Sequence, residues 1–381
     1  MYKIQKLNDI SPLIYNELDN KYTVEKDVVN PDAVLVRSAV MNDYLIGSNL
    51  VAVARAGAGV NNIPLDKMSE AGVVVFNTPG ANANAVKELI ITSMLLANRD
   101  IIGGVNWTQS LAGQVDAAKQ VESGKKAFIG PEIFGKTLGI IGLGAIGALV
   151  ANAAIHLGMN IIGYDPYLSG KIAATLNKAI EITDNLDFLY ANSDYITLHV
   201  PLNDGTRNMI NTTTIAMMKD NVRIINAARG ELVDNTAIIE SLNLGKVAKY
   251  VTDFPNAEVI GKHANIITIP HLGASTPEAE DNCAIMAASQ LKIFIENGNI
   301  VNSVNYPNMT ADKTGKYRVT VLAKENVLSE VIAALTPSTI KGSLSGSRGV
   351  YNYYIIDTES KPEESAIAEL SKNALKVRLL G

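Results

Sequence analysis

The sequence holds one cysteine, Cys283, among its 381 residues, so no disulfide can form within the chain. Disulfides accumulate in oxidising compartments, and a chain without them is typical of a reducing cytoplasm. The first ten residues lack a basic segment followed by an apolar run, so no signal peptide is expected. No apolar run reaches the ~18 residues that a membrane helix needs. We therefore expect a soluble, cytoplasmic protein.

Positive charge is not in excess either, because 33 Lys and Arg stand against 38 Asp and Glu, for a net charge of −5. Such a chain has no basic field to attract nucleic acid or an anionic membrane, so neither is expected as a partner. An anionic substrate would need a few local cations. The hydrophobic share of 47% is that of a folded protein. The length predicts about two or three domains.

Short apolar strands, such as 33–36, 160–164 and 195–198, alternate with helices along most of the chain. This alternation is typical of parallel sheets covered by helices on both faces. The C-terminal segment instead has the order β-α-β-β-α-β, which is ferredoxin-like. We predict an α/β protein with a Rossmann-type nucleotide domain inserted in a flavodoxin-like substrate domain, followed by a ferredoxin-like α+β domain. The expected bounds are 1–98 with 283–305 for the substrate domain, 99–282 for the nucleotide domain, 306–315 for a linker and 316–381 for the last domain.

A glycine motif gives the strongest local signal. Gly142, Gly144 and Gly147 follow the apolar strand 138–141 and open a helix. In a dinucleotide site the first glycine permits the tight turn, the second lets the backbone approach a pyrophosphate, and the third lets the helix pack on the strand. The pyrophosphate would lie at the helix N-terminus. The alternative is a glycine-rich turn without a ligand.

Asp165 ends the next strand, 18 residues after Gly147. An acid at that place accepts hydrogen bonds from the adenosine ribose and repels a 2′-phosphate. No Lys or Arg follows before Lys171. We therefore predict NAD rather than NADP as the cofactor, and we predict no metal. Asp165 could also be a plain Asp-Pro turn residue, and both roles are compatible.

Polar candidates follow three later strands: Arg229, Glu258 and His271. An imidazole exchanges protons near neutral pH, a carboxylate can orient it, and a guanidinium can bind a substrate carboxylate through two bonds. Arg229 could equally be a surface turn residue, and Glu258 could be merely solvated. The other three histidines compete with His271 for the role of acid–base: His156, His199 and His263.

Several segments together resemble the D-2-hydroxyacid dehydrogenase family: GKTLGIIGLGAIG, YDPY, INAARGELVD and PHLGAST, with VARAGAGVNNIP and NTPGANANAVKEL before them. The likeness covers residues 30–305. It implies that Arg229 binds the substrate carboxylate and carbonyl, that Glu258 pairs with the histidine, and that His271 is the acid–base. It also implies an NAD site that is lined, beside the three glycines, by Ala145, Ile146, Asp165, Val200, Ala227, Ala228, Asp253, Gly273 and Ala274.

One segment departs from this resemblance. The family commonly has Asp-x-Phe-x-x-Glu-Pro, whereas this chain runs from Asp253 through Phe254 to Glu258, with the phenylalanine one place early and no proline after the acid. The interval of five residues between the two acids is kept. We therefore retain Glu258 as the partner expected for the histidine.

The resemblance also bears on the substrate. It places a phosphate contact at Arg37 and Ser38, and it lets the backbone N–H groups of Ala58, Gly59 and Val60 meet the substrate carboxylate. Two lysines are further candidates for the phosphate, with ordinary solvation as their alternative: Lys125 and Lys126.

The C-terminal segments 345–357 and 375–380 resemble an ACT regulatory domain. This favours oxidation of 3-phospho-D-glycerate, on the way to serine, over lactate or glycerate chemistry. The turn 323–328 lacks the usual Pro or Gly of an effector site, so the domain could serve assembly alone, in a homodimer or homotetramer. Alternatives are another D-2-hydroxyacid dehydrogenase, for glycerate (hydroxypyruvate) or lactate, and an NAD-sensing corepressor.

Overall fold

The computed structural model describes the whole chain, residues 1–381. The chain forms two compact units, one of Met1–Asn82 with Pro277–Gly381 and one of Ala83–Thr276. Each unit is built on a parallel sheet, and the predicted α/β class is confirmed. None of the helices combines the length and apolar character that a membrane span requires.

The first unit begins with a five-stranded parallel sheet in the order β2-β1-β3-β4-β5. Strands β3 and β4 are apolar runs that are almost wholly buried, as expected for a parallel sheet covered on both faces. The elements of this part are β1 (Tyr2–Lys6), β2 (Tyr22–Glu25), β3 (Ala33–Val36), β4 (Ala52–Arg55), α1 (Leu65–Glu70) and β5 (Val74–Phe76), with a 3₁₀ turn at Pro12–Asn16.

The second unit holds a seven-stranded parallel sheet in the order β12-β11-β10-β9-β6-β7-β8. β7 and β8 lie on one side of β6, and β9 begins the other side, so the direction in which strands are added reverses at β6 and β9. Sheets of this kind bind ligands at the carboxyl ends of the strands next to such a reversal. Its elements are α2 (Ala83–Leu96), α3 (Ile101–Ser110), α4 (Ala117–Gly124), β6 (Thr137–Ile141), α5 (Ala145–His156), β7 (Asn160–Tyr164), α6 (Gly170–Ala173), β8 (Glu181–Thr183), α7 (Leu186–Asn192), β9 (Tyr195–Leu198), α8 (Thr212–Met217), β10 (Val222–Asn226), α9 (Asn235–Asn243), β11 (Val247–Thr252) and β12 (Ile266–Thr268), with 3₁₀ turns at Lys125–Phe128 and Gly230–Leu232.

The units divide at Asn82 and Thr276, earlier than the expected bounds of 98 and 282. The reason lies in helix α2, whose apolar face is buried in the core of the second unit. Val86, Ile90 and Met94 pack there with Leu138 of β6 and Val150 of α5. This helix therefore belongs to the nucleotide unit, whereas the sequence places it with the substrate domain.

The first unit is completed by a long helix and a four-stranded antiparallel sheet in the order β14-β15-β13-β16. The β-α-β-β-α-β order predicted for the C-terminal segment is present. The elements are α10 (Pro277–Asn297), β13 (Tyr317–Ala323), α11 (Leu328–Leu335), β14 (Ile340–Arg348), β15 (Tyr351–Thr358), α12 (Glu364–Asn373) and β16 (Lys376–Leu380), with a 3₁₀ turn at Thr336–Ser338.

This antiparallel sheet packs on helix α10 instead of standing apart. Leu322 and Tyr353 of the sheet share one hydrophobic cluster with Phe294 of the helix. Tyr306, at the start of the expected linker 306–315, is fully buried, and its hydroxyl donates to the carbonyl of Ser69 at 2.6 Å. The linker is thus packed at its start, because an aromatic side chain in that segment finds a buried hydrogen-bond partner.

Side chains of the antiparallel sheet also cap the C-terminal end of α10, where helix carbonyls lack partners. The Arg378 guanidinium donates to the carbonyls of Phe294 and Ile295, at 3.1 and 2.5 Å. Buried Arg318 donates to the carbonyl of Asn297 at 2.9 Å and binds both carboxylate oxygens of Asp357, at 2.7 and 2.9 Å. The sheet is therefore tied to the helix by polar contacts as well as by packing.

Candidate functional site

The glycine turn after β6 has the geometry of a dinucleotide site. Gly142 has φ +94°, and a Cβ there would lie 2.5 Å from the carbonyl oxygen of His199. A Cβ at Gly147 would lie 1.9 Å from the carbonyl oxygen of Gly142, so the helix can approach the strand only without a side chain. A Cβ at Gly144 would meet nothing within 4 Å. The first and third glycines are thus required by packing, and the second leaves its space open for a ligand.

The N-terminus of α5 lies at this turn, with Ala145 and Ile146 in its first turn. Gly144 is the N-cap and provides no side chain to cap the helix. The first N–H groups of a helix have no partner within it, and together with the helix dipole they favour an anion. A pyrophosphate would therefore find donors at this place.

Asp165 serves the glycine turn directly. Its Oδ2 accepts the backbone N–H of Leu143 at 2.9 Å, and its Oδ1 accepts that of Tyr167 at 2.8 Å. It lines a cleft of about 620 Å³ together with Glu181 and Asp184, and no Lys or Arg lines that cleft. An acidic lining disfavours a 2′-phosphate. The carboxylate thus closes the Asp-Pro turn and adds to the acidic lining of the cleft, and its contact with a ribose stays a prediction.

The remaining cofactor candidates follow the other strands of the same sheet. Because parallel strands end at one edge, these loops lie side by side. Val200 follows β9, and its Cγ1 would be 3.0 Å from a Cβ at Gly142. Sequence reasoning missed Asn226, a buried residue at the end of β10 that accepts the N–H of Ala228 and donates to the carbonyl of Arg229. The other candidates follow β10, β11 and β12: Ala227, Ala228, Asp253, Gly273 and Ala274.

Asp253 is a buried carboxylate whose two oxygens accept no hydrogen bond from the protein. Burial raises the pKa of this carboxyl group, while the nearby charges of His271 and Arg229 act against the rise. A buried carboxylate that accepts no hydrogen bond lowers the stability of the fold, so a ligand that carries an N–H donor would stabilise it. The carboxamide of a nicotinamide is such a donor, and the open turn at Gly144 suits its pyrophosphate. The residues present therefore fit NAD.

A cleft of about 790 Å³ in the second unit brings the catalytic candidates together. Glu258 and His271 line it, and Arg229 adjoins it through Gly230. The Phe254 ring lies between two of the three candidates. Its centre is 4.4 Å from that of the His271 ring and 5.7 Å from Cζ of Arg229. The structure therefore brings His271 and Arg229 to one aromatic side chain, with Glu258 in the same cleft.

The expected pair of Glu258 and His271 is not formed in this structure. Glu258 accepts instead from Nδ2 of Asn235 at 2.7 Å through its Oε2, and no ion pair or hydrogen bond joins it to the histidine. Asn235 begins α9 and faces the acid because Asp234 caps that helix. Nothing in the sequence pattern marked Asn235. The role of Glu258 stays a prediction.

His199, one of the competing histidines, is unsuited to acid–base work. Burial lowers the pKa of its imidazole to about 4. Its Nε2 lies 3.1 Å from Oγ1 of Thr197, in the preceding strand β9. His199 is therefore neutral near pH 7 and has a structural role beside the glycine turn, whereas His271 is exposed in the cleft.

In the first unit, Arg37 follows β3 and is about one-third exposed. Its Nη2 donates to Oε1 of Glu280, on the first turn of α10, at 2.7 Å. Asn8 shapes this turn, because its Oδ1 accepts the backbone N–H groups of Arg37, Ser38 and Ala39. Ser38 also accepts a bond from the side chain of Asn8. The cation is thus held in place by residues far away in the sequence.

The loop after β4 presents free backbone donors. No hydrogen bond in the structure uses the N–H groups of Ala58, Gly59 or Val60, whereas the neighbouring carbonyls are engaged. Asn77 donates to the carbonyl of Ala58 at 2.6 Å, and Arg55 donates to that of Gly59. The loop can therefore offer N–H groups to an anion.

The two lysines considered for the phosphate are solvent-exposed. Lys125 pairs with Glu122, one turn earlier on the surface, at 2.5 Å. The structure shows no convergence of Lys125 or Lys126 with other site residues, so ordinary solvation accounts for both.

Known proteins are similar to this chain in sequence and in fold. The model of the D-isomer specific 2-hydroxyacid dehydrogenase NAD-binding domain matches residues 91–273. Hydroxypyruvate reductase from Thermotoga maritima is 40% identical over 284 residues, which cover 72% of this chain and 87% of that protein. The chain belongs to the D-isomer specific 2-hydroxyacid dehydrogenase family. The predicted NAD-binding domain is thereby confirmed.

Two further similar proteins are both named as 3-phosphoglycerate dehydrogenases. D-3-phosphoglycerate dehydrogenase from Methanocaldococcus jannaschii is 36% identical over 333 residues and covers 85% of this chain. This chain spans only 60% of the length of that relative. The NAD⁺-bound structure of 3-phosphoglycerate dehydrogenase from Entamoeba histolytica has a TM-score of 0.63 at 26% identity, over 80% of this chain and 98% of that one.

Proposed function

We propose that this protein oxidises 3-phospho-D-glycerate to 3-phosphooxypyruvate with NAD, the first step of L-serine biosynthesis, as a D-3-phosphoglycerate dehydrogenase. The observation that carries the choice of substrate is Arg37, a partly exposed cation at a strand end in a protein of net charge −5. The free N–H groups of residues 58–60 in the same unit supply donors for a carboxylate. Relatives of that name at 33–36% identity support the proposal.

The proposed chemistry uses the residues of the cleft in the second unit. NAD, when bound, supplies the acceptor for the hydride from C2. The exposed imidazole of His271 takes the proton of the C2 hydroxyl group, which a histidine near neutral pH can do. Arg229 offers its guanidinium to the substrate carboxylate and carbonyl. Glu258 is proposed to support the imidazolium ion that forms, although it is held by Asn235 in this structure.

A second substrate class is favoured by one observation. The T. maritima relative named hydroxypyruvate reductase is the more identical of the two relatives described above, at 40% against 36%. Reduction of hydroxypyruvate to D-glycerate would need no phosphate contact. Arg37, already paired with Glu280, would then be a structural residue.

We propose that residues 316–381 form an ACT-like domain, which the order of its strands and helices supports. Its packing on α10 and the polar cap at the end of that helix support a role in building the first unit and in subunit assembly. A homodimer or homotetramer in the cytoplasm remains part of the proposal, and so does the absence of nucleic acid and membrane as partners.

An assay of NADH formation tests the proposed function. The purified chain is given NAD with 3-phospho-D-glycerate, D-glycerate or D-lactate, and the increase in NADH absorbance is followed. We expect kcat/KM to be highest for 3-phospho-D-glycerate. A higher value for D-glycerate would favour the hydroxypyruvate alternative, and NADH binding without turnover of any of the three would contradict the enzymatic proposal.

A further inference from the structure

The Phe254 side chain contacts both residues that the proposed reaction needs most. Its ring is tilted by 45° against the ring of His271, with 4.4 Å between the two centres. The Arg229 guanidinium carbon lies 5.7 Å from the centre of the same ring. Aromatic pairs at such distances attract each other, and a guanidinium is attracted to the face of an aromatic ring.

The imidazole of His271 is not fixed by polar contacts. Its ring nitrogens make no hydrogen bond or ion pair with the protein, and Glu258 is bound to Asn235. The charges of His271 and Asp253 lie close enough to interact. The ring of Phe254 lies directly against this imidazole, and the contact restricts the orientation of the imidazole.

Phe254 is itself fixed by its surroundings. Its backbone N–H donates to Oγ1 of Thr252 at 3.1 Å, at the end of β11. Gly230 lies against it, because a Cβ at that glycine would be 3.5 Å from Cβ of Phe254. The backbone of Phe254 is therefore fixed at the strand end, and this sets the direction in which its ring leaves the chain.

We propose that Phe254 is a positioning residue, which orients the imidazole of His271 and the guanidinium of Arg229 for the reaction. The proposal rests on the proposed function for its effect on turnover, but not for the contact itself. It assigns a role to Phe254, which stands one position earlier than the phenylalanine of the family motif. The aromatic ring then provides an orienting contact that Glu258 does not provide in this structure.

Four variants test the proposal in the full chain. Phe254→Leu removes the ring and keeps an apolar side chain, and Phe254→Tyr keeps the ring. Phe188→Leu is the matched control, a phenylalanine of the same unit on α7 that is 39% exposed. Glu258→Gln measures the contribution of the acid. For each we would measure kcat and KM with 3-phospho-D-glycerate, the pH profile of kcat, NADH binding by fluorescence titration, and the melting temperature.

We expect Phe254→Leu to lower kcat by about tenfold, with KM changed less, and to shift the pH profile. Phe254→Tyr should restore most of kcat, and NADH binding should stay within a few-fold. Phe188→Leu should match the wild type. A kcat for Phe254→Leu within about twofold of the wild type, or an equal loss in Phe254→Tyr, would overturn the proposal. The kcat loss in Glu258→Gln is compared separately, because the proposed function gives that acid its own role in supporting the imidazolium ion.

A spectroscopic measurement separates this proposal from the proposed function. The ring current of Phe254 should displace the NMR signals of the His271 ring, which are assigned by their loss in His271→Ala. Phe254→Leu should return these signals towards the position of an exposed histidine, whether or not any substrate is turned over. Unchanged signals would refute the contact. An inactive wild type with displaced signals would refute the function and keep the contact.

Discussion

The two parallel sheets differ in how their strand ends are prepared for a ligand. In the seven-stranded sheet two positions lack a partner within the protein. A Cβ at Gly144 would meet nothing within 4 Å, and the oxygens of Asp253 accept no hydrogen bond. In the five-stranded sheet the cations are already engaged, Arg37 with Glu280 and Arg55 with the carbonyl of Gly59. The first kind of site is made by local backbone geometry. The second depends on residues that are distant in the sequence.

This difference decides how strongly each site should respond to mutation. A ligand that fills an open, partnerless site gains every contact it makes there. A ligand that must share a cation with a carboxylate gains less. We therefore expect the largest functional effects in the seven-stranded sheet and smaller ones at Arg37.

The largest effect is expected for His271→Ala, which removes the proposed acid–base residue from the cleft of the second unit. Turnover should fall by about 10²–10⁴, the usual contribution of general acid–base catalysis. NADH binding, measured by fluorescence titration, should stay within a few-fold. His199→Asn serves as a control, because burial lowers the pKa of His199 to about 4 and its imidazole is therefore a weak base near pH 7. Turnover that survives in His271→Ala would show that another group moves the proton.

A large loss of stability is expected for Arg318→Met in the antiparallel sheet. The change leaves Asp357 buried without its partner, which costs about 3–5 kcal/mol of unfolding free energy. Lys316→Met is the control, since it breaks an exposed pair with Glu359 and should change little. Urea unfolding measures both variants. Equal stability of the two would show that the sheet is not tied to the first unit through Arg318.

The same pair predicts a dependence of stability on pH. Burial acts to raise the pKa of Asp357, but its bonds to Arg318 and Thr314 hold the pKa below its ordinary value. The pair therefore stabilises the fold above the ordinary carboxyl pKa, and this contribution is lost as the pH falls through the lowered pKa. In Arg318→Met, urea unfolding at decreasing pH should show a smaller loss of stability from Asp357, because this carboxylate then keeps only its bonds from Thr314.

An intermediate effect is expected for Arg37→Ala. A charge-assisted hydrogen bond contributes roughly 1.5–3 kcal/mol, so kcat/KM for 3-phospho-D-glycerate should fall by about ten- to a hundredfold. Glu280→Gln is the matched control, because it breaks the same ion pair and keeps the cation. It should keep or raise kcat/KM. Equal losses in both variants, or with an unphosphorylated 2-hydroxy acid, would assign Arg37 a structural role.

The smallest effect is expected for Asp165→Asn. The amide retains an oxygen for the N–H of Leu143 and removes the charge that opposes a 2′-phosphate. The preference for NAD over NADP is the ratio of the kcat/KM values with the two cofactors. In the variant this ratio should be about tenfold smaller than in the wild type. Asp184→Asn, in the same cleft but without a bond to the turn, should narrow it less. Equal turnover with both cofactors in the wild type would refute the role of Asp165.

Sequence patterns predicted the parts of the fold that depend on neighbours in the chain. Strands 160–164 and 195–198 stand as expected, because buried parallel strands are continuous apolar runs. The first strand, Tyr2–Lys6, was not predicted. Only Ile4 within it is fully buried, so its pattern resembles a polar segment. Strand β2 lies at the edge of the sheet beside β1, and its pattern also resembles a polar segment.

The parts that were not predicted depend on distant pairs. Arg37 and Glu280 are 243 residues apart, and no local pattern connects them. The packing of the C-terminal sheet on α10 rests on Arg378 and Tyr353, which are ordinary strand residues in the sequence. Glu258 lies in the cleft, but its partner Asn235 lies on another element, and its catalytic role stays a prediction. Side-chain partners in a site follow from the fold and not from spacing.

The central claim is that the turn after β6 holds NAD at Gly144, and a titration with NADH tests it most directly. Gly144→Ala adds a Cβ where the protein has room for it, so the fold should be unaffected, whereas a bound pyrophosphate would be displaced. Gly170→Ala is the control, because a Cβ there also meets nothing within 4 Å. We expect Gly144→Ala to weaken NADH binding by about tenfold or more, as an added methyl group in a close contact does. Gly170→Ala should bind as the wild type does. Equal binding by Gly144→Ala and the wild type would contradict the account.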